Sequence, residues 1–414
     1  MVRREILAGL STFFTMAYLL LLYPQILKDG GIDSGAALTA TILIIVIATF
    51  FLALFANFPA VLAPGLSVGP YLVYSIILKQ HATWQAALGM VFWVGLILFL
   101  LTLFKIRQQI IFHLPQSIKS SAIAGIGLFL ICVGLKDLQI LTPDPQILSP
   151  QNYIAFLGLA LFLILHRLRF LSSFLITILT CWILGLLFHL TTWNGFAAMP
   201  PSILPTLFQL DLWTPLHPQW LGALLSVLLI SLFDSTASVT ILARLSHKLD
   251  THNHIPHLNR ILTPDGLGSM LAALLGTATL SYTLESSSGI KAGGRTGLTA
   301  ITAALCCLLC LFLYPLISSI PLFATAPALI AIGVFMAQEA KNLKWSDFTE
   351  SIPALATLIT IPLTFSIYYG FALGFISFAL LKALSGRYKE VHPLCWILSA
   401  IFALHLVLVL FFNM

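Results

Sequence analysis

Apolar positions along the chain gather in long blocks rather than at the short periods of a soluble helix or strand. Runs of about 20 residues, the length that crosses a bilayer as a helix, fall near 5–27, 36–57, 60–78, 85–104, 117–136, 152–166 and 172–190. A second set follows near 217–243, 264–280, 281–296, 297–319, 324–340, 349–365 and 366–385, and a further apolar segment covers 393–412. The stretch 191–217 between the two sets is rich in proline and tryptophan and holds Asp211 but no lysine or arginine. It divides the chain near its middle, as a linker between two repeats would.

Two of these predicted spans are interrupted. The third reads N-F-P-A-V-L-A-P-G-L-S-V-G-P-Y over 57–71. There Pro64, Gly65, Gly69 and Pro70 oppose one continuous helix, since proline lacks a backbone donor and glycine weakens helix. The tenth lies within 281–300, S-Y-T-L-E-S-S-S-G-I-K-A-G-G-R-T-G-L-T-A, polar and glycine-rich between apolar flanks. Irregular backbone at membrane depth is tolerated only against protein or a water-filled cavity. Paired breaks in corresponding spans point to a transporter site; kinks that ease close helix packing are the plainer alternative. If each break is a short extended piece followed by a half-helix, two helix N-termini converge on one cavity with free N–H donors.

Composition agrees with a helical membrane chain. Of 414 residues, 59% are hydrophobic and 8% charged, with mean hydropathy +1.02, where soluble domains carry about 25% charged residues. Arg3 and Arg4 lead into the first run without a small-residue cleavage site, so a first span is expected rather than a cleaved leader. The net charge of +6 suits a positive-inside membrane protein and calls for no nucleic acid. A cytoplasmic N-terminus leaves Lys28, Lys79 and Lys136 outside and the rest of the twenty basic residues inside. That bias favours fourteen spans through Leu384. Seven spans per half then invert the second half relative to the first, as in secondary transporters. For 393–412, a fifteenth crossing and a helix lying along the bundle or membrane surface both fit.

Most acidic residues fall at span ends or in loops; Asp234, in I-S-L-F-D-S-T-A-S-V-T, and Glu285 are embedded. An ionisable group inside a span is a functional candidate by default. A carboxyl in a low-dielectric cavity can accept from ring N–H groups and carry a proton, or it can pair with a serine, threonine or backbone N–H to lock helices. Cys306, Cys307 and Cys310 read as small buried hydrophobes rather than a metal cluster, and Cys132, Cys181 and Cys395 likewise lie in or beside apolar segments. His247, His252, His254 and His257 suit a solvated loop better than a metal site. No nucleotide-binding loop, nucleophile elbow or zinc motif is present, so neither an enzyme nor a cofactor is expected.

At these residues the chain resembles the nucleobase:cation symporter-2 (nucleobase–ascorbate transporter) superfamily, in its AzgA-like hypoxanthine/guanine/adenine permease branch. The matching stretches are E-I-L-A-G-L-S-T-F-F-T-M-A-Y-L (5–19), L-A-P-G (62–65), W-Q-A-A-L-G (84–89), A-I-A-G-I-G-L-F (122–129), L-F-D-S-T (232–236), E-S-S-S-G-I-K-A-G-G-R-T-G-L-T (285–299) and P-L-T-F-S-I (362–367). The resemblance implies an all-α polytopic fold like that of uracil permeases, fourteen spans in two inverted seven-span repeats with short extended segments in spans 3 and 10. It implies a core domain from 1–116 and 217–319 and a gate domain from 117–190 and 320–390. The linker is 191–216, outside the cytoplasm, and 391–414 carries the extra apolar helix.

The function it implies is proton-coupled import of a purine base across a bacterial inner membrane, with a homodimer through the gate domain. By motif position Asp234 and Glu285 hold the ring, and one of them carries the proton. The strands before the half-helices fall near Ala63 and Thr283, Phe13 and Thr15 line the cavity, and backbone N–H groups near Gly65, Leu66, Ser286 and Ser287 are expected to meet acceptor edges. Four positions depart from the branch pattern: Ser231 in place of an acid, Ala237 of a glycine, Gly69 of an asparagine, and Lys291 at a position normally small. A sulfate- or bicarbonate-type anion transporter on the same fold is the rival reading, since converging helix N-termini suit an anion. Two carboxylates in one cavity would repel it.

Overall fold

The computed structural model describes residues 2–248 and 255–412. His252 and His254 lie outside the described residues.

The first half opens with a long helix broken once, at Ala17, into α1 (Val2–Met16) and α2 (Tyr18–Asp29). α3 (Ser34–Ala56) follows; its free first-turn N–H is met by Asp33, which accepts from Ala36 N at 2.8 Å, and Asn57 closes it in the left-handed conformation. The interrupted third span is a three-residue strand, β1 (Leu62–Pro64), then α4 (Val68–Pro70) continuing as a π-helix over Tyr71–Ile77. α5 (Trp84–Leu103) starts on a Thr83 cap. A short helix, α6 (Ile106–His113), in the connection between the fourth and fifth predicted spans, leads to α7 (Gln116–Asp137), α8 (Pro150–Arg167) and α9 (Ser173–Leu187).

The second half repeats the order. α10 (Pro218–Leu245) and α11 (Leu258–Leu275) precede a second short strand, β2 (Leu280–Tyr282), and a short helix, α12 (Ser286–Lys291). α11 begins about two turns before the predicted 264, because Pro264 sits inside the helix rather than opening it. α13 (Gly297–Leu309) and α14 (Tyr314–Ser318) share the eleventh apolar run. A 3-10 turn divides them just before Pro315, which has no N–H to extend the α-helical ladder. α15 (Leu322–Ala337), α16 (Phe348–Thr364), α17 (Ile367–Leu384) and α18 (Pro393–Phe412) complete the chain. Among the described residues, eight helices are long and apolar enough to cross a membrane.

The helices pack in two groups. α1 and α3 lie against α13, and α5 against α11; α7 lies against α15 and α16, and α8 and α9 pack on α15. Between α7 and α15 the backbones nearly touch: a Cβ on Gly127 would lie 2.5 Å from Gly333 O, and one on Gly333 would lie 2.5 Å from Gly127 O. The linker drapes over helix ends of the first group, with Asp211 N donating to Gln85 O at 2.9 Å and Phe208 N to Leu274 O at 2.8 Å. α18 runs antiparallel along α17, where Ser399 Oγ donates to Phe375 O at 2.8 Å and Phe402 stacks on Phe375. Large aliphatic side chains such as Leu54, Leu103, Leu157, Leu309 and Leu384 point outward, while Arg107, Asp265, Ser231 and Thr277 are buried. Apolar outside and polar within is the distribution a lipid solvent demands. The chain is an integral membrane protein.

Outside the spans, the turn after α17 is tied to the start of α16. Arg387 bonds Asp347 at 2.7 Å and Glu390 at 2.8 Å. The Thr349 hydroxyl and then Arg387 pull the Asp347 carboxyl down to about 2. Arg387 and then Lys382 do the same for Glu390, also to about 2. A carboxyl depressed in the folded state adds stability that is full above its unfolded value and lost as pH falls through the folded one. Arg387→Ala should therefore lower the unfolding temperature in detergent at neutral pH. The gap to the unsubstituted protein should close as pH drops from roughly 5 to 2.

Candidate functional site

The two broken spans meet through their strands. β1 and β2 pair antiparallel with Leu62 opposite Tyr282, Ala63 opposite Ser281 and Pro64 opposite Leu280. Gly65 N to Thr279 O and Thr283 N to Val61 O, both 3.0 Å, extend the ladder at each end. Outward-facing N–H groups find side chains: Leu62 N donates to Thr49 Oγ1 at 3.1 Å, Leu280 N to Ser269 Oγ at 2.9 Å and Val61 N to Ser286 Oγ at 3.0 Å. Pro64, with no donor to satisfy, suits the strand end. Buried backbone is thereby paired as an apolar interior requires.

A cavity of about 320 Å³ opens where this ladder ends. Its polar side carries Asp234 from α10, Glu285 from the turn before α12, and Ser67, Ser281 and Thr283. Tyr18, the first residue after the Ala17 break, donates to Glu285 Oε1 at 2.6 Å. Ser67 Oγ donates to Asp234 Oδ2 at 2.9 Å. A Cβ on Gly65 would lie 3.2 Å from both Asp234 Oδ2 and Ser281 Oγ, so glycine here lets the backbone reach the acid. Each carboxyl is thus oriented by one hydroxyl and keeps lone pairs for a guest, since a carboxylate offers about four acceptor sites.

The opposite side is apolar and aromatic. Phe174 of α9 stacks on Tyr18 at 4.7 Å between centroids, and Phe335 of α15 meets Phe174 edge-on at 6.2 Å. Ile123 and Ile126 of α7, Met336 and the acid Glu339 complete that wall. A pocket with acceptors on one side and ring faces on the other suits a flat, hydrogen-bond-donating heterocycle.

Of the residues singled out from sequence, Asp234, Glu285, Thr283 and Leu66 line this cavity. Ala63 is buried in β1, one layer behind. Ser286 Oγ is spent on Val61 N, and three of the four N–H groups expected to meet a ligand are engaged within the protein. Gly65 N bonds Thr279 O at 3.0 Å, Ser286 N bonds Thr283 O at 3.1 Å, and Ser287 N bonds Leu284 O at 2.9 Å. Phe13 and Thr15 stand outside the lining because the break at Ala17 turns Tyr18 and Leu19 inward instead. Thr15 supports the turn from behind, donating to Ser288 Oγ at 2.9 Å. Among the departures from the branch pattern, Ala237 lines the cavity, Ser231 shares a hydrogen bond with Thr279 Oγ1 at 3.1 Å, Gly69 packs under Tyr23, and Lys291 is exposed. The six cysteines are free, and no metal-holding group of His, Cys, Asp or Glu occurs among the described residues.

Tyr18, Ser67, Ser281, Phe174, Phe335 and Glu339 were not foreseen. Tyr18 could have been, as a hydroxyl within the motif 5–19 and at the head of an aliphatic run. Phe174 and Phe335 carry no such signal, since ordinary span residues look the same.

A family model described as "Permease family" matches residues 3–373. The chain is 34% identical to the adenine permease AdeQ of Escherichia coli, over 99% of this chain and 94% of that one. It is also 34% identical to the guanine/hypoxanthine permease PbuG of Bacillus subtilis, over 98% and 96% respectively. Among solved structures, the transmembrane domain of a cyanobacterial bicarbonate transporter, BicA, superimposes with TM-score 0.68 at 18% identity, covering 89% of this chain and 96% of that one. That likeness concerns the fold. The chain belongs to the permease family of nucleobase:cation symporter-2 type, a family of transporters rather than enzymes.

Tyr18→Phe removes a hydrogen bond to a carboxyl in a site shielded from water, an interaction of about 1.5–3 kcal/mol, and Ser67→Ala does so at Asp234. Each variant should unfold at lower temperature in detergent than the unsubstituted protein. Thr15→Val, outside the cavity, should lose less.

Proposed function

We propose that this chain imports purine nucleobases of the hypoxanthine, guanine and adenine class by proton symport. The observation that carries the reading is the pair of hydroxyl-oriented carboxyls, Asp234 and Glu285, facing an aromatic wall in one cavity. Full-length relatives named as adenine and guanine/hypoxanthine permeases support it. In this reading the two acids accept from ring N–H or exocyclic amino groups, and one of them carries the coupling proton. Leu66 and Thr283 shape the acceptor-facing edge beside them, and Ala63, Gly65, Ser286 and Ser287 hold the two breaks in register. Phe174 and Tyr18 enclose the ring face.

Fourteen spans in two inverted repeats, with the N-terminus in the cytoplasm of a bacterial inner membrane, fit the charge asymmetry. The α1–α5 and α10–α14 elements would form the core, and α7–α9 with α15–α17 the gate, one moving against the other around the site. Dimerisation through the gate belongs to the same proposal. The anion alternative is disfavoured by two acids in the cavity, whatever the fold shares with bicarbonate carriers.

The test is uptake of radiolabelled hypoxanthine, guanine, adenine, xanthine and uracil into cells lacking their own permeases, with and without a protonophore. Purine uptake that the protonophore collapses, and that Glu285→Gln reduces by a hundredfold or so (about 3 kcal/mol, as for a lost hydrogen bond to a charged group), is expected. A well-expressed protein that moves sulfate or bicarbonate but no nucleobase would overturn the reading.

A further inference from the structure

A second pair of charges lies behind the cavity, in no contact with the space a ligand would fill. Arg107, in the first turn of α6, places Nη2 2.6 Å from Asp265 Oδ2 on α11, and both side chains are 0% exposed. The pair is unsaturated: Arg107 Nε and Nη1 and Asp265 Oδ1 are buried without hydrogen-bond partners. Two features connect it to the site. Ser235, the residue after Asp234 on α10, stands near the Asp265 carboxyl, which brings that carboxyl close to the stretch of α10 that carries Asp234. Tyr282, which lines the cavity, donates its hydroxyl to Ile261 O, one turn ahead of Asp265.

As an anchor between α6 and α11 such a pair is a poor choice, because desolvating two ions costs about as much as their attraction returns, and packed apolar side chains hold helices as well. What apolar side chains cannot supply is a charge that cancels that of Asp265. The polar and charged groups nearest Asp234 are Ser67, which donates to it, Ser281, and the carboxyls of Glu285 and Asp265. Tyr18, Tyr282 and Glu339 complete the ionisable lining of the cavity. Arg107 offsets Asp265, which among these carboxyls is the one outside the cavity lining. It does so from α6, the connection between α5 and α7, and hence between the two helix groups.

We propose that Arg107 is a positioning residue for the proton step. Seated on Asp265, it cancels a second negative charge behind Asp234, and through α6 it ties that cancellation to the relative position of the two helix groups. The inference rests on the proton-symport reading above. If α6 shifts as the groups move, Asp265 is uncovered and Asp234 holds its proton more firmly; when Arg107 returns, the proton is released more readily.

The experiment is the pH profile of purine uptake for the unsubstituted protein, Arg107→Gln, Arg107→Lys, Asp265→Asn and the double variant Arg107→Gln/Asp265→Asn. Amounts of folded protein are measured alongside. Arg107→Gln should move the pH of half-maximal uptake upward by roughly one unit, the size of shift a nearby like charge produces. Asp265→Asn should move it downward. The double variant and Arg107→Lys should return it to within about half a unit of the unsubstituted value. Removing one member of a buried pair can prevent folding; whichever of Arg107→Gln and Asp265→Asn folds, read against the double variant, still decides the matter, since the two are expected to shift the profile in opposite directions. Profiles that coincide while only the quantity of folded transporter changes would show a purely structural pair and overturn the proposal. Uptake by the unsubstituted protein that ignores pH would instead sink proton symport. The same comparison is then made on adenine and hypoxanthine binding to the purified full-length protein, where unmoved pH profiles overturn the role of Arg107.

Discussion

Backbone that is neither helix nor closed barrel cannot face hydrocarbon, and the pairing of β1 with β2 is how this chain meets that constraint at its centre. Two spans are broken, and each break would leave donors and acceptors bare. Laid against each other, the breaks satisfy most of these groups mutually, and Thr49, Ser269 and Ser286 take up others. The ladder thereby fixes where the chain leaves each strand. Those exits, at Gly65 and Thr283, are where Ser67 and Glu285 enter the cavity. A polar site inside an apolar bundle is a by-product of satisfying the backbone.

The cavity draws its two characters from different parts of the chain. Acceptors and hydroxyls come from the elements around the ladder, α2, α10 and the turn before α12, while the ring faces and aliphatic side chains come mainly from α7, α9 and α15. Tyr18 belongs to both, hydrogen-bonded to Glu285 and stacked on Phe174. Through Tyr18 the acid side and the aromatic side of the cavity are joined by one residue.

Much of this was legible in the sequence because lipid imposes a coarse grammar. Pro64 and Gly65 in one half and the glycines after Glu285 in the other marked the two breaks, and Asp234 stood out as an acid where acids are costly. What escaped notice depended on the partner rather than the residue. Ser67 matters because Asp234 is across from it, and Asp265, second residue of the predicted span 264–280, counted as a span-end acid, whereas α11 begins at Leu258 and buries it. The expected ligand-facing N–H groups at Gly65, Ser286 and Ser287 failed for a similar reason. The ladder takes the Gly65 donor and the turn before α12 takes those of Ser286 and Ser287, and no pattern of residue types shows that in advance.

The contact between Gly127 and Gly333 has a mechanical consequence. Two helices whose backbones meet with no room for a methyl group cannot slide past one another without separating. α7 and α15 are therefore keyed together at this level, and a larger residue at either glycine would have to push the two helices apart.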